Sequence, residues 1–201
     1  MNKNLRKQIQ QVTDNLLGWC PLDKSLLLAE LVIETQSKIS VELGIYGGRS
    51  LVPMALGAKQ FSGLVIGVEP WENQPALEGD NSKENDDWWA EINLGQVKEA
   101  YYHGALNFDT VANTKVLEMT SKQALPLIKE YKSIKVIHQD GNHSELVSSW
   151  EVENYLPLLE KGGYWIIDDT QWETTQNAQR LLEKKLKLYH DGGSWRVYKY
   201  E

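Results

Sequence analysis

Cysteine is almost missing from this chain of 201 residues: Cys20 is the only one. One thiol can form neither an internal disulfide nor a cysteine-built zinc site, and such sparse use fits a reducing compartment. Long apolar runs are also missing. Stretches such as Leu26-Leu27-Leu28 are far below the ~20 residues of a membrane span, so no membrane partner is expected. The opening MNKNLRKQIQQ lacks the apolar core of a signal peptide, which makes a cytoplasmic location the expectation. There is no excess of positive charge: 21 Lys and Arg face 28 Asp and Glu, a formal net charge of −7. That balance disfavours nucleic acid and anionic lipid as partners. No repeat at solenoid or propeller period occurs, and no low-complexity tract. Three motifs are absent as well. The absence of G-x-S-x-G argues against a serine hydrolase elbow. Without G-x-x-x-x-G-K-S/T there is no Walker loop, and Tyr46 stands where a dinucleotide fingerprint needs its second glycine.

What is present is an ordinary globular composition, 41% hydrophobic and 24% charged, which excludes disorder as the main state. Residues 1–201 read as a single domain. Leu5, Ile9, Val12 and Leu16 recur at intervals of four, three and four, a helical stripe. Pro21 opens a second helical stretch, so residues 1–38 form N-terminal helices. Five short apolar runs follow: Ile39–Leu43, Leu64–Val68, Lys115–Leu117, Ile134–Ile137 and Tyr164–Ile167. Helix-length segments Ser50–Lys59, Lys122–Tyr131 and Leu146–Leu159 separate them. Buried strands alternating with helices predict an α/β fold, a parallel sheet covered on both faces. Lys185–His190 and Ser194–Tyr200 flank Asp191-Gly192-Gly193 and predict a closing antiparallel hairpin. Residues 71–110 exceed a minimal connection; their acidic, aromatic-rich composition suits an insertion or lid with a helix over Trp88–Tyr102.

Chemistry-bearing residues fall at the strand ends. Gly44, Gly47, Gly48, Arg49 and Ser50 join the first strand to a helix, where ligands bind in open α/β sheets. Ser50 is either a ligand contact or a helix cap. Glu69 ends the second strand, where a carboxylate can accept from both hydroxyls of a ribose, and Trp71 beside it can cover an adenine or an acceptor. Asp140 ends the fourth strand and Asp168-Asp169 the fifth. Three converging carboxylates repel one another unless a cation neutralises them, and oxygen ligands suit Mg²⁺; the simpler reading of Asp168-Asp169 is a polar turn. His143, three residues past Asp140, is either a general base or a hydrogen-bonded loop histidine. His138 within the strand reads as structural, and His103 is a weaker acceptor-side candidate.

Glu42-Leu43-Gly44 with Gly47-Gly48-Arg49-Ser50, then Asp140-Gly141-Asn142-His143-Ser144, then Leu156-Pro157-Leu158-Leu159 running through Gly162-Gly163 to Asp168-Asp169 together resemble the class I S-adenosylmethionine-dependent methyltransferases. The nearer resemblance is to the small metal-dependent O-methyltransferases and cephalosporin hydroxylase-like proteins. The resemblance implies a Rossmann-like three-layer sandwich. It implies S-adenosylmethionine contacts from Glu42, Gly44, Gly48 and Ser50, with Ser121 near the adenine and Glu69 on the ribose. It further implies Mg²⁺ held by Asp140, Asp168 and Asp169, and Asp140 or His143 taking the proton of a small-molecule acceptor hydroxyl. Glu145 and Glu151 depart from the group, which often has Tyr and Asp there. Two other readings compete: a metal-assisted hydrolase or hydroxylase using the same acids without S-adenosylmethionine, and a non-catalytic cofactor-binding module. The N-terminal amphipathic helices offer a face for homo-oligomer contacts.

Overall fold

The helical stripe and the strand–helix alternation fold as their periods predict in a computed structural model that describes residues 1–201. Helices α1 (Lys3–Asn15) and α2 (Leu22–Thr35) precede β1 (Ile39–Leu43), α3 (Leu51–Lys59) and β2 (Leu64–Val68). The insertion carries α4 (Asn73–Ala76), α5 (Lys83–Glu91) and α6 (Leu94–Leu106). Then come β3 (Thr114–Leu117), α7 (Ser121–Ile128), β4 (Ile134–Gln139), α8 (Glu145–Tyr155), β5 (Leu159–Asp168) and α9 (Gln176–Glu183). The hairpin β6 (Lys187–Asp191) and β7 (Trp195–Lys199) ends the chain. One seven-stranded sheet has the order β3-β2-β1-β4-β5-β7-β6, all parallel except β7.

Successive strand residues point to opposite faces, and each face has its own core. Val65, Val136, Tyr164, Ile166 and Val197 meet α1, α2, α3 and α6; all four stripe residues of the N-terminus are buried there. Val41, Leu43, Ile66, Ile137, Trp165 and Ile167 meet α7, α8 and α9 on the other side. The amphipathic face of α1 is therefore covered by the domain's own core. Edge strand β6 is exposed throughout and carries Lys187 and Asp191, charges that blunt pairing with other chains.

The insertion differs from the expected single helix over Trp88–Tyr102. The helix breaks at Ile92-Asn93, because the Asn93 side chain accepts from Gln96 N at 3.1 Å and caps a new helix. Ser82 caps α5 in the same way. Asn142, just past β4, donates from Nδ2 toward the carbonyls of Pro75 (2.9 Å), Ala76 (3.1 Å) and Glu78 (2.9 Å), which ties α4 to the sheet edge. From the other side Tyr101 of α6 presses on Gly48. That glycine has φ +84°, and a Cβ there would stand 2.5 Å from the Tyr101 ring. Gly48→Ala should lower the unfolding free energy by about 2–4 kcal/mol, the sum of left-handed strain and overpacking, as read from urea midpoints at unchanged slope.

Candidate active site

Register sets the level of the site. Leu43 pairs with Val68 on one side and with Gln139 on the other, and Gln139 pairs with Ile167. The next residue in each strand is therefore Gly44, Glu69, Asp140 or Asp168, four neighbours across the carboxyl edge of the sheet. A cavity of about 620 Å³ opens there, a size typical of small-ligand sites. Gly44, Ile45, Tyr46, Arg49 and Ser50 line it from the first loop, Glu69 and Pro70 from the second, and Thr120, Ser121 and Lys122 from the turn after β3. Asp140, His143, Asp168 and Asp169 line the far end, with Trp19, Trp88, Trp89 and Trp172 beside them.

Two expected cofactor contacts are not on this wall. Glu42 is fully buried behind it, with Oε1 2.6 Å from His138 Nδ1, because strand alternation turns its side chain to the face opposite Val41 and Leu43, the one covered by α2. Gly48 faces Tyr101. Gly44, Ser50, Glu69 and Ser121 do line the cavity. Gly44 has φ +89°, and a Cβ there would meet the Asp140 carbonyl oxygen at 2.1 Å, so only glycine lets β1 and β4 approach at this point. Glu69 has a second duty. Its Oε2 accepts from Ile45 N (3.1 Å) and Tyr46 N (3.0 Å), and its Oε1 from Trp71 N (2.9 Å). Burial nevertheless pushes its carboxyl above the usual range. Trp71 is buried and donates from Nε1 to the Tyr46 carbonyl at 2.9 Å; it braces the first loop and lies outside the cavity lining.

The acidic end departs from the expected three-carboxylate metal site. Lys24, from the first turn of α2, donates to Asp168 Oδ2, and its Nζ lies 3.7 Å from Asp140 Oδ2. The ligand atoms that cluster are His138 with Asp140 and Asp168, and His143 with Asp140 and Asp169. The first group already contains the lysine ammonium. The second centres on an imidazole nitrogen, His143 Nε2, 2.9 Å from Asp169 Oδ2 and 3.7 Å from Asp140 Oδ1. Mg²⁺ prefers oxygen ligands in octahedral array, whereas each of these groups includes an imidazole, and two of the three acids expected to hold it, Asp140 and Asp168, already face Lys24.

These contacts set the protonation states. Burial opposes charge on His143, but the Asp140 and Asp169 carboxylates outweigh it and raise the imidazole from 6.5 to about 10. His143 is thus a cation near pH 7, unlike the neutral base considered from sequence. Burial opposes charge on His138 and so does Lys24, yet Asp168 and Glu42 lift it to about 9. Burial, then the neighbouring Asp168, pushes Asp140 up to about 6 against the pull of Lys24. Asp168 moves far the other way: burial would raise it, but Lys24 and His138 hold it well below the carboxylate range.

Sequence reasoning missed Lys24, 116 positions before Asp140. One signal was available: it precedes Leu28 by four and Leu31 by seven, which puts a lysine on the buried stripe of α2. Glu151 was also missed as a wall residue. It lines the cavity, accepts from Gln139 Nε2 at 2.9 Å, and is pushed by burial to about 7.

A mostly parallel sheet of this order, closed by an antiparallel β7 and bearing a glycine loop after β1, defines the class I methyltransferase fold. The family described as "Methyltransferase domain" matches residues 41–170, and the chain belongs to that family. The O-methyltransferase from Bacillus cereus in complex with SAH shares the fold with a TM-score of 0.63 at 14% identity, over 99% of this chain and 92% of that one. TomG, the O-methyltransferase from Streptomyces achromogenes involved in tomaymycin synthesis, in complex with SAM, aligns with a TM-score of 0.62 at 13% identity, over 100% and 91%. Comparison with curated proteins finds no match.

The raised imidazole carries a consequence for stability. A protonated His143 held by two carboxylates stabilises the fold fully below its unfolded value of 6.5, and that contribution is lost as pH rises through about 10. Urea midpoints between pH 6 and 10 should fall for the wild type, and the slope should be shallower in His143→Gln.

Proposed function

We propose that the chain is an S-adenosylmethionine-dependent O-methyltransferase acting on a hydroxyl of a small molecule. One observation carries this reading: the glycine loop, the ribose-side acid Glu69 and the proton-accepting Asp140 all open onto one cavity. Acidic side chains outnumber basic ones along its wall, which suits a cationic sulfonium. Glu69 makes three backbone contacts, and a carboxylate has about four lone-pair sites, so one remains for a ribose hydroxyl. Ser121 and Thr120 line the same cavity from the turn after β3, beside Glu69, which suits an adenine next to the ribose.

When bound, S-adenosylmethionine supplies a methyl group for in-line displacement: a C–O bond forms as the C–S bond breaks and its electron pair stays on sulfur. Positioning accounts for much of the rate in such a reaction, since charge is dispersed rather than created. Asp140 takes the acceptor proton. It is mostly ionised at pH 7, yet basic enough, at about 6, to share a proton with a hydroxyl. The His143 cation orients Asp140 from one side. The aromatic wall, with Trp19 and Tyr46 ring centroids 4.9 Å apart and Trp88 and Trp89 4.8 Å apart, gives a flat acceptor surfaces to lie on. No step here runs through Mg²⁺, because the acids expected to hold it are occupied by Lys24 and His143.

S-adenosylhomocysteine at about 100 times its dissociation constant should stabilise the protein by roughly 2.7 kcal/mol, visible as a raised thermal midpoint. An unmoved midpoint at millimolar ligand refutes the assignment. Asp140→Asn should keep that thermal shift while kcat on an accepted hydroxyl falls by roughly 10²–10⁴; an unchanged kcat removes Asp140 as the base.

A further inference from the structure

A fully buried lysine is rare unless acids pair with it, and the first turn of a helix is the end where the macrodipole opposes a cation. Lys24 meets both adverse conditions, with a side chain 1% exposed in the first turn of α2. Cys20 beside it is pushed up to about 12 by burial and is neutral near pH 7. Asp168 and Asp140 are left as its counter-charges, one hydrogen-bonded and the other 3.7 Å away. His138 Nε2 backs the same pair, 3.6 Å from Asp168 Oδ1 and 4.0 Å from Asp140 Oδ2.

We propose that the Lys24 ammonium is the resident cation of this site, held between Asp140 and Asp168 where a divalent ion would otherwise be required, and that methyl transfer here proceeds without a divalent metal. The second clause rests on the methyltransferase reading; the first does not. Two carboxylates on adjacent parallel strands repel each other until a positive charge lies between them, and a tethered ammonium does this without an ion from solution. Lys24 also lines the cavity and has three N–H donors, of which Asp168 engages one. An acceptor oxygen bound beside Asp140 meets that charge as its proton passes to the Asp140 carboxylate, so the ammonium stabilises the developing oxyanion.

The test reads metal affinity and stability on the full chain without cofactor. Mn²⁺ is titrated by electron paramagnetic resonance, and thermal midpoints are taken with Mg²⁺ or EDTA, for the wild type, Lys24→Ala, Asp168→Asn and Lys24→Ala/Asp168→Asn. The wild type should bind no Mn²⁺ and show one midpoint in both buffers. Lys24→Ala should lose about 10 °C, as breaking a buried pair in a chain of this size implies, and should regain part of it with Mg²⁺ while binding Mn²⁺. Should Lys24→Ala fail to fold, the double variant, which removes both charges, should recover most of the loss. Wild-type Mn²⁺ binding that Asp168→Asn abolishes overturns the proposal. So does a Lys24→Ala protein as stable as the wild type, or a double variant no more stable than the single one. Methyl transfer by the wild type should persist in chelator-treated buffer, and activity that needs added Mg²⁺ overturns the second clause. Failure to bind S-adenosylhomocysteine refutes the methyltransferase reading alone, since the Mn²⁺ and double-variant results are read without cofactor.

Discussion

Carboxylates crowded at the ends of adjacent parallel strands must be neutralised, and the whole carboxyl edge of this sheet is organised around that need. The charges alternate along one path. Glu42 meets His138 at 2.6 Å; His138 faces Asp168 at 3.6 Å; Asp168 holds Lys24; Lys24 faces Asp140 at 3.7 Å; Asp140 faces His143 at 3.7 Å; His143 meets Asp169 at 2.9 Å. The path starts in the core at β1 and ends at the cavity, joining α2, β1, β4 and the turn after β5. Removing a partner leaves a buried charge uncompensated, which costs several kcal/mol, so the links stand or fall together. The same path sets the proton affinities at the far end of the cavity. Lys24 and His138 keep Asp168 ionised, and burial together with Asp168 raises Asp140 above the usual carboxylate range.

The second organising constraint is the attachment of the insertion. Three carbonyls of residues 75–78 converge on the single amide of Asn142, two residues past Asp140. Lys122 pairs with Glu78, and Lys98 with Glu118 at 2.5 Å, which brings α4 and α6 against the turn after β3. A loop of this length is affordable only because polar contacts of this kind order it; its aromatic residues Trp88 and Trp89 then form a wall of the cavity. Asn142 thus links the turn that carries Asp140 to the insertion that walls the cavity.

The architecture was legible because each part is a local pattern. Strands β1 and β2 match their apolar runs residue for residue, and the glycine-rich turn between β6 and β7 marks the hairpin directly. Gly44, Glu69, Asp140 and Asp168 were legible for the same reason, since a strand end is a local feature and parallel register aligns the ends. What escaped was long-range pairing. Nothing near Lys24 in sequence announces acids more than a hundred residues away, and no local pattern tells a Glu42 buried against His138 from one that points at a ligand. The packing of Gly48 was hidden for a related reason: its glycine requirement comes from Tyr101, a residue of the insertion.

Three residues with side chains adopt left-handed backbone just past the carboxyl ends of strands β1, β2 and β5: Tyr46 (φ 48°), Trp71 (φ 48°) and Asp169 (φ 49°). Such residues are strained by about 1 kcal/mol or more and persist only where surroundings over-determine them. Here the surroundings are identifiable. Glu69 accepts from the N–H of both Tyr46 and Trp71, and Trp71 donates to the Tyr46 carbonyl, so one carboxylate and one indole hold two strained turns. The Asp169 carbonyl accepts from Trp172 N at 2.9 Å and from the Thr175 hydroxyl at 2.8 Å. Glycine would relieve the strain at any of the three, but it would remove the Tyr46 ring from the aromatic wall and the Asp169 carboxylate from His143. At Tyr46 and Asp169 the strain is therefore tied to side chains that line the cavity, and at Trp71 to the indole that braces the first loop, while Glu69 clasps the first two loops and lines the cavity itself.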